Sequence, residues 1–291
     1  MNYVLLVSIG LIWGSQFVLI NLALVAFTPV QLAFLRTFYA SVFLLLFCLF
    51  AKLKRSNTRS FQDWLKVAAV GIFEVVIPFT LVIWAQQFLS GSMAAILMGT
   101  IPFFTLLLVS LTRVETATFS KFIAMLIGFA GLVILLAPDL AHAEALWHGF
   151  LPKLAVLAGA LSFASALVVI KSLKRENAFI LSRDAFMIGT CLMFFISLCQ
   201  GSLRQLTFQT KAAVSAAVLG VICSGLVYVL YVALIKRAGA SFCSLSNYLV
   251  PLFGSLLGVL IMHDTITFNM MLACCLILLA IAIEPLIAYF R

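Results

Sequence analysis

The chain has 291 residues, 65% of them hydrophobic and 9% charged, with a mean hydropathy of +1.24 and a formal net charge of +9. Soluble domains carry about 25% charged residues, so this composition excludes a water-soluble fold and any sizeable soluble domain. The basic residues stand in short clusters between apolar runs, a pattern of membrane topology rather than of a nucleic-acid face.

The first apolar run, 3–26, is too long for a signal-peptide core and lacks a basic leader or a clear A-x-A site, so it reads as a retained span. Nine more runs of about 20 residues, enough to cross a bilayer, follow at 30–51, 64–87, 91–112, 118–137, 149–171, 183–200, 212–235, 241–262 and 267–289. They show no period-2 alternation, and backbone groups in lipid need partners within their own segment, so the spans are helices and not barrel strands. With the N-terminus in the cytoplasm, the inner loops and span ends hold 14 Lys and Arg and the outer ones hold 3 (Lys153, Arg204 and Lys211), Arg36 being inside the second span. This bias puts both termini inside, positions near 56 and 176 inside, and positions near 142 and 207 outside with His142, His148 and His263. The expected fold is an all-α polytopic membrane protein of the bacterial cytoplasmic (inner) membrane.

The chain also repeats itself, without a gap, at an offset of 149 residues. Pro102 recurs as Pro251, Phe104 as Phe253, Glu115 as Asp264, and Thr116-Ala-Thr-Phe119 as Thr265-Ile-Thr-Phe268; Gly10 falls on Gly159. Two five-span halves, 1–140 and 149–291, follow. Five is odd, so the second half is inverted relative to the first. Inverted repeats enclosing a midplane site are the architecture of secondary transporters.

Polar residues within the spans are the candidate site. Glu74 is the one mid-span carboxylate. Such a group normally faces a cavity or a partner, and one that meets each aqueous side in turn can carry a proton. The bland alternative is a carboxyl hydrogen-bonded to a neighbouring helix. Arg36, about two turns into the second span, could snorkel, cap a carbonyl, hold an anion or pair with Glu74. Helical spacing places Ser224, Tyr228 and Tyr231 on one face, as it does Trp13 with Gln16, Ser162 with Ser165, and Ser244 with Asn247 or Tyr248 and Pro251. Ordinary helix–helix hydrogen bonding also explains such stripes, but spans 1, 8 and 9 carry theirs at similar depth. A shared cavity lined by spans 1, 3, 4, 6, 8 and 9 is expected, with Trp13, Gln16, Glu74, Ser162, Ser224, Tyr228, Tyr231, Asn247 and Tyr248 around the solute.

Pro78, Pro102 and Pro251 interrupt spans where freed carbonyls kink a helix or line a cavity. Pro102 and Pro251 correspond in the two halves, the arrangement that points to a binding site. Gly254 and Gly258 form G-x-x-x-G, explained by close packing in a monomer, with a dimer face as the weaker reading. Asp264 and Glu115 precede helices and suit an N-terminal dipole. The cysteines Cys48, Cys191, Cys199, Cys223, Cys243, Cys274 and Cys275 lie in apolar runs without C-x-x-C or metal spacing, and read as small buried hydrophobes. No H-E-x-x-H, P-loop, G-x-S-x-G or C-a-a-X occurs. No enzyme activity, cofactor or metal is expected, and ATP is not expected as the direct energy source.

Ile12-Trp-Gly-Ser-Gln-Phe17 resembles the first-span signature of the drug/metabolite transporter superfamily, EamA type. Pro29 to Arg36, Ile127-Gly-Phe-Ala-Gly131, Lys236-Arg-Ala-Gly-Ala240 and Tyr248-Leu-Val-Pro251 resemble that family's later motifs in order and spacing, covering essentially the whole chain. The family's acid after the ninth span is usually Glu, whereas this chain has His263-Asp264, and Glu74 is outside the family pattern. The resemblance implies a ten-helix inverted-repeat carrier for small metabolites, often amino acids moved outward. Protons are candidate co-substrates. Nucleotide-like or cationic drug-like solutes are the alternative cargo. An intramembrane enzyme would need clustered acids or histidines, and a channel would need a charged or carbonyl ring.

Overall fold

In a computed structural model of the chain, residues 2–53, 59–111, 149–173, 177–202, 209–238 and 246–289 are described, with eight positions between 123 and 134. Every regular element among them is helical: α1 (Asn2–Leu24), α2 (Pro29–Phe50), α3 (Phe61–Ala85), α4 (Gly91–Met98, resuming as Ile101–Leu111), α5 (the positions between 123 and 134), α6 (Leu151–Ser172), α7 (Ala178–Cys199), α8 (Thr210–Ala238), α9 (Ser246–Met262) and α10 (Phe268–Tyr289). Among the described residues six helices are long and apolar enough to cross a membrane, and shorter apolar helices lie at Gly91–Thr105 and Leu249–Met262. The chain is a polytopic helical membrane protein, and its described helices fall into two repeats.

Local chemistry sets the helix ends. Thr28 caps α2 in a reciprocal box with Gln31, and Pro29 supplies a first-turn residue that needs no N–H partner. Ser60 and Asp63 form the same box at α3, while Ser90 caps α4 and Asn177 caps α7. The seventh span drawn from 183 therefore begins earlier. Arg183 and Asp184 sit inside α7, where Asp184 binds Arg183 at 2.6 Å and Arg59 of the other repeat at 2.6 Å.

The starts of α1, α2 and α3 (Asn2, Pro29, Phe61) lie 149 residues before those of α6, α7 and α8 (Leu151, Ala178, Thr210). Packing obeys the same exchange. α1 meets α8 as α6 meets α3, α1 meets α9 as α6 meets α4, and α2 meets α8 as α7 meets α3. α2 and α7 pack on each other, as do α4 and α9. Each of these pairs maps onto itself under the exchange, so the axis relating the halves runs between them. Thr190 on α7 donates to Ser41 on α2 at 3.3 Å, a contact between repeat mates.

Two glycines carry this symmetry to the backbone. A Cβ at Gly71 would lie 2.8 Å from the Ala185 carbonyl oxygen, and one at Gly220 would lie 2.7 Å from that of Arg36. Gly71 and Gly220 are repeat mates, as are Arg36 and Ala185. Only a residue without a side chain permits either approach. At each glycine position the helix widens into a π turn, Gly71–Val76 in α3 beginning at the glycine and Val221–Leu226 in α8 directly after it.

Exposed large apolar side chains such as Val42, Leu46, Leu49, Leu252, Leu256 and Leu260 run along outer helix faces, as a lipid-facing surface requires. Gly254 faces Ala95, Phe17 and Gly14 of the same chain, and Gly258 faces Ser92 and Asp264. The G-x-x-x-G pair thus packs α9 against α1 and α4, and it is not a free face for a second copy.

Candidate functional site: a cavity between the repeats

A cavity of about 60 Å³ lies between the repeats, room for a few waters at about 15 Å³ each. Trp13, Gln16 and Phe17 of α1, Pro78, Phe79 and Val82 of α3, Met98 and Ile101 of α4, Phe163 of α6, Cys223 and Tyr228 of α8, and Val250 of α9 line it, together with Arg36 of α2. The wall is mostly apolar and aromatic, with a few placed polar groups, as small-molecule sites usually are.

Arg36 supplies the fixed charge. It is buried, and its Nη2 donates to Gln16 Oε1 at 2.7 Å while its Nε donates to Ser224 Oγ at 2.9 Å. Its guanidinium lies 3.7 Å from the centre of the Phe79 ring, a cation–π contact. Ser224, itself fully buried in the π turn of α8, therefore orients the cation.

Glu74, in the π turn of α3, accepts a 2.6 Å hydrogen bond from the Tyr228 hydroxyl. Tyr228 lines the cavity, and its ring stands edge-on to Phe186 at 5.2 Å and to Trp13 at 6.4 Å. Glu74 is one residue removed from the wall, and it does not pair with Arg36: its ligand is a neutral hydroxyl, and those of Arg36 are a neutral amide and a neutral hydroxyl.

The expected residues therefore fall into groups. Trp13, Gln16, Tyr228 and Pro78 lie on the wall. Tyr231 packs on Trp13 at 5.2 Å, behind it. Ser162 donates to the Phe73 carbonyl at 2.8 Å, and Ser165 bonds within its own helix to Leu161. The side chains of Asn247 and Tyr248, like Ser244, lie outside the described residues. Pro102 stands in the first turn of the second half of α4, directly after the break at Gly99-Thr100, and Pro251 packs inside α9 against Gly99. The discontinuous helix brings Met98 and Ile101, one on each side of the break, to the wall.

Sequence reasoning left Arg36 undecided and missed Phe79, Met98 and Phe163. The depth of Arg36 in its span suits rim and cavity alike, and an apolar wall residue is spelled like a core residue and gives no signal. Asp264 does not serve the helix that follows it. It accepts from the Ser92 backbone N–H at 2.9 Å and hydroxyl at 2.8 Å, capping α4 of the other repeat, while Thr267 caps α10. Among the described residues no group of three or more His, Cys, Asp or Glu could hold a metal ion.

Comparison with known proteins agrees with this architecture. An uncharacterized transporter of Archaeoglobus fulgidus is 25% identical over 253 residues, covering 87% of this chain and 86% of its own. The uncharacterized transporter YoaV of Bacillus subtilis is 23% identical over 278 residues, 94% of this chain and 92% of its own. A solved crystal structure matches 99% of this chain and 98% of its own with a TM-score of 0.70 at 16% identity, a likeness of fold. The EamA-like transporter family model matches residues 1–137 and again 151–283. The chain belongs to the EamA-like transporter family, and it is a multi-pass membrane transporter.

Proposed function

We propose that the chain is a secondary transporter that exports a small polar metabolite, an amino acid or a related solute, across the cytoplasmic membrane by alternating access. The observation that carries this reading is the cavity itself. It is enclosed by helices from both inverted repeats and combines one fixed cation with an aromatic, apolar wall. Rocking one repeat against the other around such a site exposes it to each side in turn. Both termini are cytoplasmic in this reading, the functional unit is a monomer, and Glu74 with its Tyr228 partner is the proton-handling pair.

The test is counterflow in proteoliposomes. Vesicles preloaded with unlabelled amino acids, organic acids, nucleosides or cationic drugs, one class at a time, receive the labelled solute outside. A transient overshoot with one class supports a carrier and names its cargo. Flux that is linear in concentration and indifferent to the solute on the far side would identify a channel.

A further inference from the structure

We infer that the cavity is an anion site, built around Arg36 to take the carboxylate of a solute whose remaining body is apolar. This rests on the transporter reading above and adds the chemical class of its cargo.

Arg36 is 3% exposed and lines the cavity. A guanidinium stays charged in proteins, and a buried charge is normally paired. Its hydrogen bonds among the described residues go to Gln16 and Ser224, which hold the fork but do not neutralise it. The described carboxylates with placed side chains are all engaged elsewhere: Asp63 with Ser60, Glu74 with Tyr228, Asp184 with Arg59 and Arg183, and Asp264 with Ser92. The Phe79 ring face beneath the cation attracts it but carries no net charge.

Gln16 Oε1 and Ser224 Oγ take one N–H from Nη2 and the one on Nε. Nη1 makes no hydrogen bond among the described residues, which leaves donors for a planar, two-oxygen acceptor such as a carboxylate. The solute completes the charge pair that the described residues lack. Beyond Arg36 and Gln16 the wall turns apolar, with Phe17, Pro78, Val82, Met98, Ile101 and Phe163. It offers a hydrocarbon body contact and water exclusion, which strengthens the ion pair. It does not offer a second fixed charge, so the site discriminates for the acid group and tolerates variation in the body.

The experiment is binding to the purified full chain of a ladder of carboxylates, from acetate through 4-methylpentanoate to 3-phenylpropionate and leucine. Each is measured beside its primary amide, which has nearly the same shape and lacks the carboxylate charge. The expected result is that at least one carboxylate binds about 10-fold or more tightly than its amide, the size of a charge-assisted hydrogen-bond pair. Arg36→Gln should bring that ratio close to one, and Arg36→Lys should restore part of it. Equal binding of acid and amide, no carboxylate binding at all, or an unchanged preference in Arg36→Gln overturns the inference. So does a dialkyl phosphate that displaces the carboxylates at lower concentration, because the site would then hold lipid headgroups. If Arg36→Gln merely misfolds, Gln16→Leu with Ser224→Ala frees the fork while keeping the cation; it should weaken carboxylates and leave amides unmoved. Counterflow of a cationic or neutral solute, untouched by Arg36→Gln, would leave the carrier standing and remove this inference. Binding discrimination without counterflow would do the reverse.

Discussion

Glu74 and Tyr228 form a pair whose two members have different duties. Tyr228 lines the cavity, Glu74 sits behind it, and one 2.6 Å hydrogen bond joins them. A solute or water that touches Tyr228 therefore touches a carboxyl at one remove. Glu74→Gln preserves the acceptor and cannot ionise. In the proposed mechanism it keeps solute exchange, which needs no net proton movement, and loses accumulation driven by a pH gradient. Glu74→Ala leaves the Tyr228 hydroxyl without its partner, an expected loss of about 1–3 kcal/mol, and should damage exchange and stability together. Proteoliposome exchange and accumulation, measured side by side, check both. Undiminished, pH-dependent accumulation in Glu74→Gln would make the pair a structural contact. At this scale the sequence was half legible. The depth of Glu74 announced that it needed a partner, but the partner is on α8, 154 positions away. Spacing along one helix carries no information about which residue faces it from another.

At the scale of an element, α3 shows how a proline and a serine from different repeats settle one carbonyl. The π turn of Gly71–Val76 hydrogen-bonds five residues back, as the Ile77 N–H to the Ile72 carbonyl demonstrates. In that register the next carbonyl, that of Phe73, would be served by residue 78, and Pro78 has no N–H. Ser162 on α6 donates to it instead at 2.8 Å. Ser162→Ala should therefore destabilise the protein by about 1–3 kcal/mol, read as a lower melting temperature in detergent. Ser162→Thr, which keeps the donor, should recover most of it. Pro78→Ala restores an N–H at the right place, so the double variant Ser162→Ala with Pro78→Ala should lose less than the sum of the two single losses. Strict additivity would show that the serine and the proline do not share the carbonyl. The proline marked the interruption in advance. The widened turn left no mark, because hydropathy is blind to whether a carbonyl is met four or five residues on.

For the whole molecule, the 149-residue offset was visible in a handful of matched residues, and it reappears in the starts of three helices and in a contact between repeat mates at Ser41 and Thr190. Such agreement is expected where both halves obey the same packing, since an insertion in one would break the close approaches at Gly71 and Gly220. The lining helices could be anticipated from polar stripes, with α2 the exception because its one polar contributor, Arg36, looked equally suited to the rim. Orientation in the bilayer is where sequence and structure make a joint prediction. Gln62 near the start of α3 and Lys211 near the start of α8 are exposed repeat mates, 149 residues apart. Inversion places such mates on opposite sides of the membrane, and the basic-residue bias assigns Gln62 to the cytoplasm. In a cysteine-free background, Gln62→Cys should react with an impermeant thiol reagent only in inside-out vesicles, and Lys211→Cys only in right-side-out ones. The reverse pattern would keep the inverted repeats and turn the whole carrier over, moving both termini outside and reversing the direction in which the cavity is first loaded. Labelling of both from one side would mean that the halves are parallel, and the two-fold exchange of contacts between α1–α8 and α3–α6 would then have no counterpart in the membrane.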